Sequence, residues 1–280
     1  MTVAVEQTSW LLWTARRKYR RVLWLGDVHV PYHDRAAIGA ALKFGRDFRP
    51  DLVIVGGDLL DCHSISRYEK DPHKLGDTIQ KEIDEAASVV AAVNSLDADT
   101  ILLTGNHDAR IEAIAVSVPG LLGLDALRLD SLLSLPPRWG VLPSQARLRV
   151  GSLDFLHGDL RGRGTGARHI AAWMFGKLKR SCLFGHFHRF NSIVDPDGDG
   201  VARGAWAIGH LADPSRMADY CPVNDWTQGF ASVEFDHAHN LFSVSSHVIV
   251  SGAVVARGKT YRGNNGRKEI RDRGCSFARR

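Results

Sequence analysis

Apolar and polar positions follow two different patterns along the chain, and the change divides it into two halves. Three short apolar runs in the first half predict buried strands at 21–26, 51–56 and 100–104. Between them, apolar residues recur at helical spacing, which predicts a helix at 35–47, capped by Asp34, and another at 75–95. Strands that alternate with helices indicate a parallel sheet covered on both faces.

The second half carries shorter strands with turn signals between them. The pattern "RLRV-GS-LDFLHG" predicts a two-residue hairpin over 147–158, followed by a helix at 165–178 and a strand at 181–185. Later short strands are predicted at 204–208, 230–235, 241–250 and 253–257, with a turn at Ser251 and Gly252. This half is expected to be mostly antiparallel and to pack against the βα half. The Pro-, Gly- and Leu-rich stretch 117–146 is interpreted as a short helical insert on the surface.

Charge is concentrated at the two ends of the 280-residue chain, whose formal net charge is +5. Residues 1–24 carry +4 and residues 262–280 carry +5, so the residues between them carry −4. We therefore divide the chain into an N-terminal basic segment (1–20), a single domain (21–261) and a basic, disordered tail (262–280). The ends are either solvated or in contact with phosphate backbones, to which Lys and Arg bind without sequence preference.

The apolar runs and the cysteines exclude several classes of protein. No run is long enough to span a membrane, so no membrane association is expected. The apolar "WLLW" at 10–13 precedes the basic "RRKYRR" at 16–21, which is the reverse of the order in a signal peptide. Four cysteines are scattered without C-x-x-C spacing, at Cys62, Cys182, Cys221 and Cys275. Free thiols in a reducing compartment are the plain interpretation, so we predict a cytoplasmic protein.

Polar clusters stand where apolar strands end, and this pattern carries the functional prediction. The strand ends read "GDVH", "GGDLLD", "GNHD", "LHGD" and "GHFH". They supply the candidate residues Asp27, His29, Asp58, Asp61, Asn106, His107, Asp108, His157, His186 and His188. In open α/β sheets the carboxyl ends of the strands line the site crevice, so these side chains are expected to converge.

The residue types in these clusters suit a metal centre. Residues two apart in an extended segment point to the same face, so each of the pairs Asp27/His29 and His186/His188 can present both side chains to one centre. Glycines 26, 57, 105 and 185 precede the clusters and allow a close approach of the backbone. Carboxylate, imidazole and amide oxygen together suit Mn²⁺, Fe or Zn²⁺, and the absence of thiolate argues against a structural zinc site.

The series D-x-H, G-D-x-x-D, G-N-H-D, H and G-H-x-H resembles that of the calcineurin-like metallophosphoesterase superfamily over roughly residues 21–260. The resemblance implies a four-layer α/β/β/α sandwich of two mixed sheets that binds two divalent metal ions, and we expect Mn²⁺. It also implies a ligand set: Asp27, His29 and His188 for one metal, Asn106, His157 and His186 for the other, and Asp58 as the bridge. His107 would act near the leaving group, where it can protonate the departing alkoxide, and Asp108 could orient it.

The motifs say less about which phosphoester is cleaved. Protein phosphatases of this family carry Arg directly after the second aspartate of G-D-x-x-D, whereas Cys62 stands there in this chain. The motifs are nearer those of Mre11/SbcD-type nucleases and phosphodiesterases, so we expect a nuclease or phosphodiesterase acting on DNA or RNA through a metal-activated water. The alternatives are a phosphomonoesterase, a small-molecule or cyclic-nucleotide phosphodiesterase, and a non-catalytic scaffold. Candidate substrate-binding residues are Arg161, Arg189 and His63.

Overall fold

The structure is a computed structural model, and it describes residues 5–9, 11–67, 76, 78–160, 169–196, 202–217 and 225–264. Within these residues the chain forms two large sheets, of six and seven strands, and one separate hairpin. Among the helices described, none is both long and apolar enough to cross a membrane.

The first sheet has the order β13-β12-β3-β4-β5-β6 and holds the predicted parallel strands at its centre. Its strands are β3 (Arg21–Leu25), β4 (Leu52–Val55), β5 (Asp99–Leu103), β6 (Trp139–Leu142), β12 (Gly229–Asp236) and β13 (Leu241–Val248). β3 to β6 pair in parallel, and β12 pairs antiparallel with both β3 and β13. The carboxyl ends of the four parallel strands therefore meet at one edge of this sheet.

The second sheet has the order β1-β2-β7-β8-β9-β11-β10 and is mixed. Its strands are β1 (Val5–Ser9), β2 (Leu12–Ala15), β7 (Arg147–Val150), β8 (Leu153–Leu156), β9 (Cys182–Phe184), β10 (Asn191–Pro196) and β11 (Ala202–Ala207). The predicted hairpin is β7–β8, which turns at Gly151 and Ser152. β8 and β9 are parallel, so both of their carboxyl ends point to one edge.

Helices cover the outer faces of the two sheets. They are α1 (Arg35–Phe48), α2 (Ile79–Asn94), α3 (Ala109–Ser117), α4 (Leu129–Leu132) and α5 (Ile170–Leu178). One apolar cluster joins α1 and α2 to the first sheet, a second fills the space between the sheets, and a third joins α5 to the second sheet. These clusters define α/β/β/α layers, which confirms the four-layer sandwich of two mixed sheets.

Several elements differ from the prediction. The stretch 117–146 forms α4 and short 3₁₀ turns, but it also contributes the edge strand β6, which the Pro- and Gly-rich composition obscured. The late strands do not form a separate antiparallel half, because β12 and β13 join the parallel sheet. A further hairpin, β14 (Ala253–Ala256) and β15 (Lys259–Arg262), packs beside α1. β14 meets the preceding segment only through a bridge between Val250 and Ala253 across the predicted turn.

The basic ends are partly structured. Most of the 1–20 segment that the structure describes forms β1 and β2, and β2 extends the second sheet by pairing in parallel with β7. The buried side chain of Leu12 on β2 and the buried ring of Tyr19 fix this segment to the domain. The tail predicted from residue 262 begins inside β15, and residues 265–280 lie outside the described part of the chain.

Candidate metal centre

The predicted ligands converge at the carboxyl edges of the two sheets. Three groups of side chains have potential metal-ligand atoms within 4.8 Å of one another. The groups are Asp27, His29 and His188; Asp58, His157 and His186; and His29, Asp58 and His107. Asp58 therefore lies between the first two groups, where the resemblance places the bridging carboxylate.

The first group collects ligands from both sheets. The Nε2 atoms of His29 and His188 are 3.1 Å apart, and His188 Nε2 lies 3.4 Å from Asp27 Oδ1. The carboxylate of Asp61 lies 2.9 Å from His29 Nδ1, so this nitrogen donates its proton and Nε2 is left to face the group. A carboxylate behind a histidine is the arrangement that orients metal-binding imidazoles in proteins.

The second group is organised in the same way. His157 Nδ1 donates to the backbone carbonyl of Gly56 at 2.9 Å, which leaves Nε2 to face the site. Nε2 lies 3.2 Å from Asp58 Oδ2 and 3.1 Å from the side-chain oxygen of Asn106. The ring of His186 packs edge-on against that of His157, with centroids 5.1 Å apart. The amide oxygen of Asn106 thus joins this group as predicted.

The backbone at the ligands is left-handed, which the sequence pattern did not predict. Five predicted ligands adopt positive φ, at 53° for Asp27, 53° for His29, 51° for Asp58, 69° for His186 and 57° for His188. The expectation that each pair lies in extended backbone was therefore wrong, since each pair converges through left-handed turns. Such conformations cost of order 1–3 kcal/mol each and collect at functional sites, where surrounding structure enforces them.

Two of the predicted glycines are required by close contacts. A Cβ atom on Gly105 would lie 2.2 Å from Asp58 Oδ1, and one on Gly185 would lie 2.2 Å from Asp27 Oδ2. Any larger residue would push these carboxylates out of position. The N–H of His107 donates to Asp58 Oδ1 at 2.8 Å and that of His186 to Asp27 at 3.0 Å, so neighbouring backbone fixes both carboxylates.

His107 stands beside the two groups with its ring orientation fixed. Its Nδ1 donates to the backbone carbonyl of Asp61 at 2.8 Å and lies 3.4 Å from the Asp61 carboxylate. Burial favours the neutral ring, but Asp58 and Asp61 outweigh it and raise the pKa of His107. The contacts of Nδ1 with Asp61 therefore fix the orientation of the His107 ring.

The His107 ring contacts Asp61, whereas the Asp108 carboxylate binds backbone N–H groups, and the orienting role of Asp108 stays a prediction. Asp108 is buried, and its carboxylate accepts from the backbone N–H groups of Leu60 at 2.9 Å and Gly105 at 3.0 Å. It therefore fastens the loops after β4 and β5 to each other. Burial raises the pKa of Asp108 to about 6, and the negative charge of Asp58 acts in the same direction.

Arg110 and Glu82 belong to the surroundings of the site and were not predicted. Arg110 Nη1 donates to the backbone carbonyl of Asp61 at 2.9 Å, and Nη2 lies 3.4 Å from His107 Nε2. Its spacing of three residues from His107 on one helical face is a sequence signal that could have indicated it. Glu82 of α2 accepts from the N–H of Cys62 at 2.6 Å and anchors the loop after Asp61. Only the fold reveals this contact.

The three predicted substrate-binding residues have different surroundings. Arg189 forms an ion pair with Asp225 at 2.8 Å. His63 begins a 3₁₀ turn at His63–Ile65 and is partly exposed. Arg161 lies outside the described residues. All three roles remain predictions.

Charge and protonation in the cluster fit divalent cations. Burial opposes ionisation of Asp27 and Asp58, yet neighbouring histidines hold the pKa of both carboxyls below the usual range. Burial lowers the pKa of His188 and brings that of His186 to about 4, so both imidazoles have a lone pair available. At His157, burial is outweighed by Asp58, which raises its pKa to about 10. Ionised carboxylates, the neutral imidazoles of His186 and His188 and one amide oxygen are donors that Mn²⁺, Fe or Zn²⁺ accept, and His157 would join them by releasing its proton to a bound cation.

The clustered donors fit a metal centre, and comparison with known proteins gives the family of the chain. The chain matches the calcineurin-like phosphoesterase family over residues 20–169, more than half of its length, and it belongs to that family. Membership implies metal-dependent phosphoester hydrolysis.

Two phage proteins and two solved structures are similar to the chain. The Gene 54 protein of Mycobacterium phage D29 is 26% identical over 254 residues, covering 82% of this chain and 98% of that protein. The Gene 54 protein of Mycobacterium phage L5 is 24% identical over 237 residues, covering 79% and 91%. Vps29 of Cryptosporidium parvum has a TM-score of 0.45 at 14% identity, covering 88% and 96%. A Vps29 single mutant from Entamoeba histolytica has a TM-score of 0.43 at 16% identity, covering 86% and 97%.

Proposed function

We propose that the chain is a phosphodiesterase that uses two divalent metal ions, Mn²⁺ in the first instance, to cleave nucleic acid. The observation that carries the proposal is the position of Asp58 between two complete ligand groups, with the ring of His107 beside it. The groups would hold one cation through Asp27, His29 and His188 and the other through Asn106, His157 and His186, with Asp58 shared. Bound there, the cations would supply an acidified water and positive charge for phosphoryl transfer.

The residues of the chain supply the remaining steps. Because Nδ1 of His107 is committed to the Asp61 carbonyl, Nε2 is the atom that can deliver a proton to the leaving oxygen. The carboxylates of Asp58 and Asp61 raise the pKa of His107, which favours the protonated ring that this role needs. The guanidinium of Arg110, 3.4 Å from the same Nε2, is placed to hold a phosphate oxygen. It can take the part of the arginine that Cys62 replaces in the protein-phosphatase motif.

Two features support a diester of nucleic acid as the substrate. The motifs G-D-x-x-D and G-N-H-D are nearer those of nucleases and phosphodiesterases than those of protein phosphatases. The two ends of the chain are basic while the residues between them carry −4, so positive charge is available outside the metal cluster.

The experiment compares three substrates with Mn²⁺: a bis-aryl phosphate, a mono-aryl phosphate and a labelled oligonucleotide. We expect the oligonucleotide and the bis-aryl ester to be hydrolysed, and His107→Ala to slow both by about 10²- to 10⁴-fold. Metal content should be unchanged in that variant, and the exposed-histidine control His239→Ala should behave as wild type. Turnover of the mono-aryl ester alone would replace the proposal with a phosphomonoesterase. Metal binding without turnover of any ester would favour a scaffold.

A further inference from the structure

A basic surface runs along α1 from the metal centre to the opposite end of the first sheet. Only four side chains of α1 are exposed, and three of them are basic: Arg35, Lys43 and Arg46. The fourth, Asp47, already accepts from Lys259 Nζ at 2.7 Å and from the hydroxyl of Tyr261 at 3.0 Å. Lys43 Nζ donates to the side-chain oxygen of Asn264 at 3.1 Å, and the backbone of Gly263 and Asn264 packs against Gly39 between Arg35 and Lys43. Within the described residues, the outer face of the helix therefore presents a stripe of three exposed cations that form no ion pair with an acidic side chain.

The first turn of α1 is tied to the metal centre by backbone hydrogen bonds. The N–H of Asp34, which caps the helix, donates to the carbonyl of Leu211 at 2.9 Å. The N–H of Leu211 in turn donates to the carbonyl of Asp27 at 3.0 Å. A single residue, Leu211, thus connects the backbone of the α1 cap, where the stripe begins, to the backbone of Asp27, a predicted metal ligand.

The other end of the stripe opens into a cationic cleft. Here the end of α1, the start of β3 and the β14–β15 hairpin enclose a cavity of about 410 Å³. Five basic side chains line it: Arg21, Arg46, Arg49, Arg257 and Lys259. Within the described residues, no ion pair or side-chain hydrogen bond engages Arg46 or Arg49, and Arg21 lies 3.7 Å from Asp51. Basic residues are favoured near the carboxyl end of a helix, but five of them against one acidic residue, Asp47, exceed what that preference explains.

Two of these arginines occupy backbone positions that favour glycine or asparagine. Arg49 caps the end of α1 with φ of 52°, and Arg257 stands in the hairpin turn with φ of 53°. At both positions an arginine adds backbone strain as well as charge repulsion. In the part of the chain that the structure describes, Arg49 contacts no acidic side chain that would offset its backbone strain or the charge repulsion. An external anion is therefore its natural partner.

We infer that the stripe on α1 and its terminal cleft form a docking track for the phosphodiester backbone of a nucleic acid whose scissile bond lies at the metal centre. The inference rests on the proposed function, and it adds the surface along which the substrate would lie. The 14 residues of α1 span about 20 Å, which corresponds to about six phosphates along one strand of B-form DNA. A substrate of that length or longer can engage both the centre and the cleft, whereas a shorter one cannot.

Paired variants at the ends of two helices test the track. Arg46→Glu/Arg49→Glu reverses charge in the last turn and left-handed cap of α1. Lys177→Glu/Lys179→Glu makes the same change at α5, where Lys179 also caps the helix with φ of 54°. A second pair, Arg46→Gln/Arg49→Asn, removes charge with residues that suit these backbone positions. Binding of labelled oligonucleotides is followed by fluorescence anisotropy in the presence of a chelator, so cleavage does not contribute.

For an oligonucleotide of about 12 nucleotides, we expect the α1 pair to weaken binding by at least about tenfold at 0.1 M salt, and the α5 pair by less than about twofold. The slope of log K against log salt should fall by about 1.5 to 2 for the α1 pair. A trinucleotide, which is too short to reach from the centre to the cleft, should bind wild type more weakly than the longer oligonucleotide does. The track would be overturned if the α1 pair and the α5 pair weakened oligonucleotide binding equally. It would also be overturned if binding by wild type did not depend on salt. Competition by poly-glutamate as strong as by the oligonucleotide would overturn it in favour of an acidic protein partner.

Turnover of the bis-aryl phosphate separates this inference from the proposed function. The α1 pair should hydrolyse it at the wild-type rate, because the ester reaches only the metal centre. If wild type hydrolyses neither diester, the proposed function fails. A loss of oligonucleotide binding confined to the α1 pair would still support the track in that case.

Discussion

The two ends of β4 show how the same sheet builds two different charged regions. Asp58 follows the strand and is buried, with Oδ2 3.2 Å from His157 and Oδ1 accepting from the N–H of His107. Asp51 precedes the strand and is partly exposed, and its carboxylate accepts from the N–H groups of Arg20 and Arg21. One carboxylate is surrounded by potential metal ligands, whereas the other ties two chain segments together.

Burial accounts for the difference between these regions. At the carboxyl edge, charges are removed from water, so each must be compensated by a neighbour or by a bound cation. At the amino edge, the arginines of the cleft remain in contact with solvent, which screens their mutual repulsion. Substitutions should therefore have large effects on chemistry at the first edge and moderate, salt-dependent effects on binding at the second.

The largest effect is expected for Asp58→Asn, with Asp51→Asn as the matched change at the other end of the strand. Loss of the shared negative charge should reduce metal content and lower turnover by at least about 10³-fold, since metal ions supply several kcal/mol of transition-state stabilisation. Asp51→Asn should retain metal content and activity and lose about 1 kcal/mol of unfolding free energy. Metal analysis, initial rates and denaturant unfolding measure these outcomes. Equal effects of the two substitutions on metal content would contradict the assignment of Asp58 as a shared ligand.

The convergence of the candidate ligands could be predicted because these residues obey a local rule. Each cluster directly follows an apolar run, and parallel strands bring their carboxyl ends together whatever the rest of the chain does. Asp27, Asp58 and Asn106 were found in this way. The left-handed backbone of Asp27 and Asp58 was not, because the interactions that enforce it come from the opposing sheet and from loops distant in sequence.

The supporting contacts depend on tertiary structure and leave weaker signals. Glu82 is one acidic residue on an amphipathic helix, and nothing in its neighbourhood marks it as the anchor of the loop at Cys62. His210 is fully buried, with its ring centroid 5.1 Å from that of His188, although it belongs to no motif of the series. The edge strand β6 and the strand β15 were missed because each has only four residues and neither forms a uniformly apolar run, so the pattern is too short to establish a period; β14 was predicted at 253–257, but its partner was not.

A buried histidine that belongs to neither charged region isolates the effect of burial on charge. His247 of β13 packs against the rings of Phe44 and Phe230, and its Nε2 lies 2.8 Å from the hydroxyl of Ser232. Burial lowers the pKa of His247 to about 4. The unfolded chain, with a pKa of about 6.5, binds the proton more readily. Stability from this residue is therefore complete above pH 6.5 and is lost as the pH falls towards 4.

Denaturant unfolding of wild type and His247→Leu as a function of pH measures this contribution. Between pH 7 and pH 4, wild type should lose about 2 kcal/mol more than the variant, because the leucine cannot take up a proton. Histidines of the metal centre titrate in both proteins and cancel in the difference. His239→Leu, at an exposed histidine, should follow the wild-type curve. Parallel curves for wild type and His247→Leu would show that His247 is protonated in the folded protein.

The smallest effect on stability is expected at Arg49, the left-handed cap of α1, which lies at the amino edge of the first sheet. Arg49→Gly removes the Cβ strain at φ of 52° and should raise the unfolding free energy by about 0.5 kcal/mol. Lys179→Gly at the matching cap of α5 should do the same, since its φ is 54°. Only Arg49→Gly should weaken binding of a long oligonucleotide. If Arg49→Gly instead destabilises the fold by 1 kcal/mol or more, roughly the worth of one lost interaction, the arginine contributes to packing at this edge. A left-handed backbone at Arg49 would then not indicate a bound ligand. At the five left-handed residues of the metal centre it would still do so.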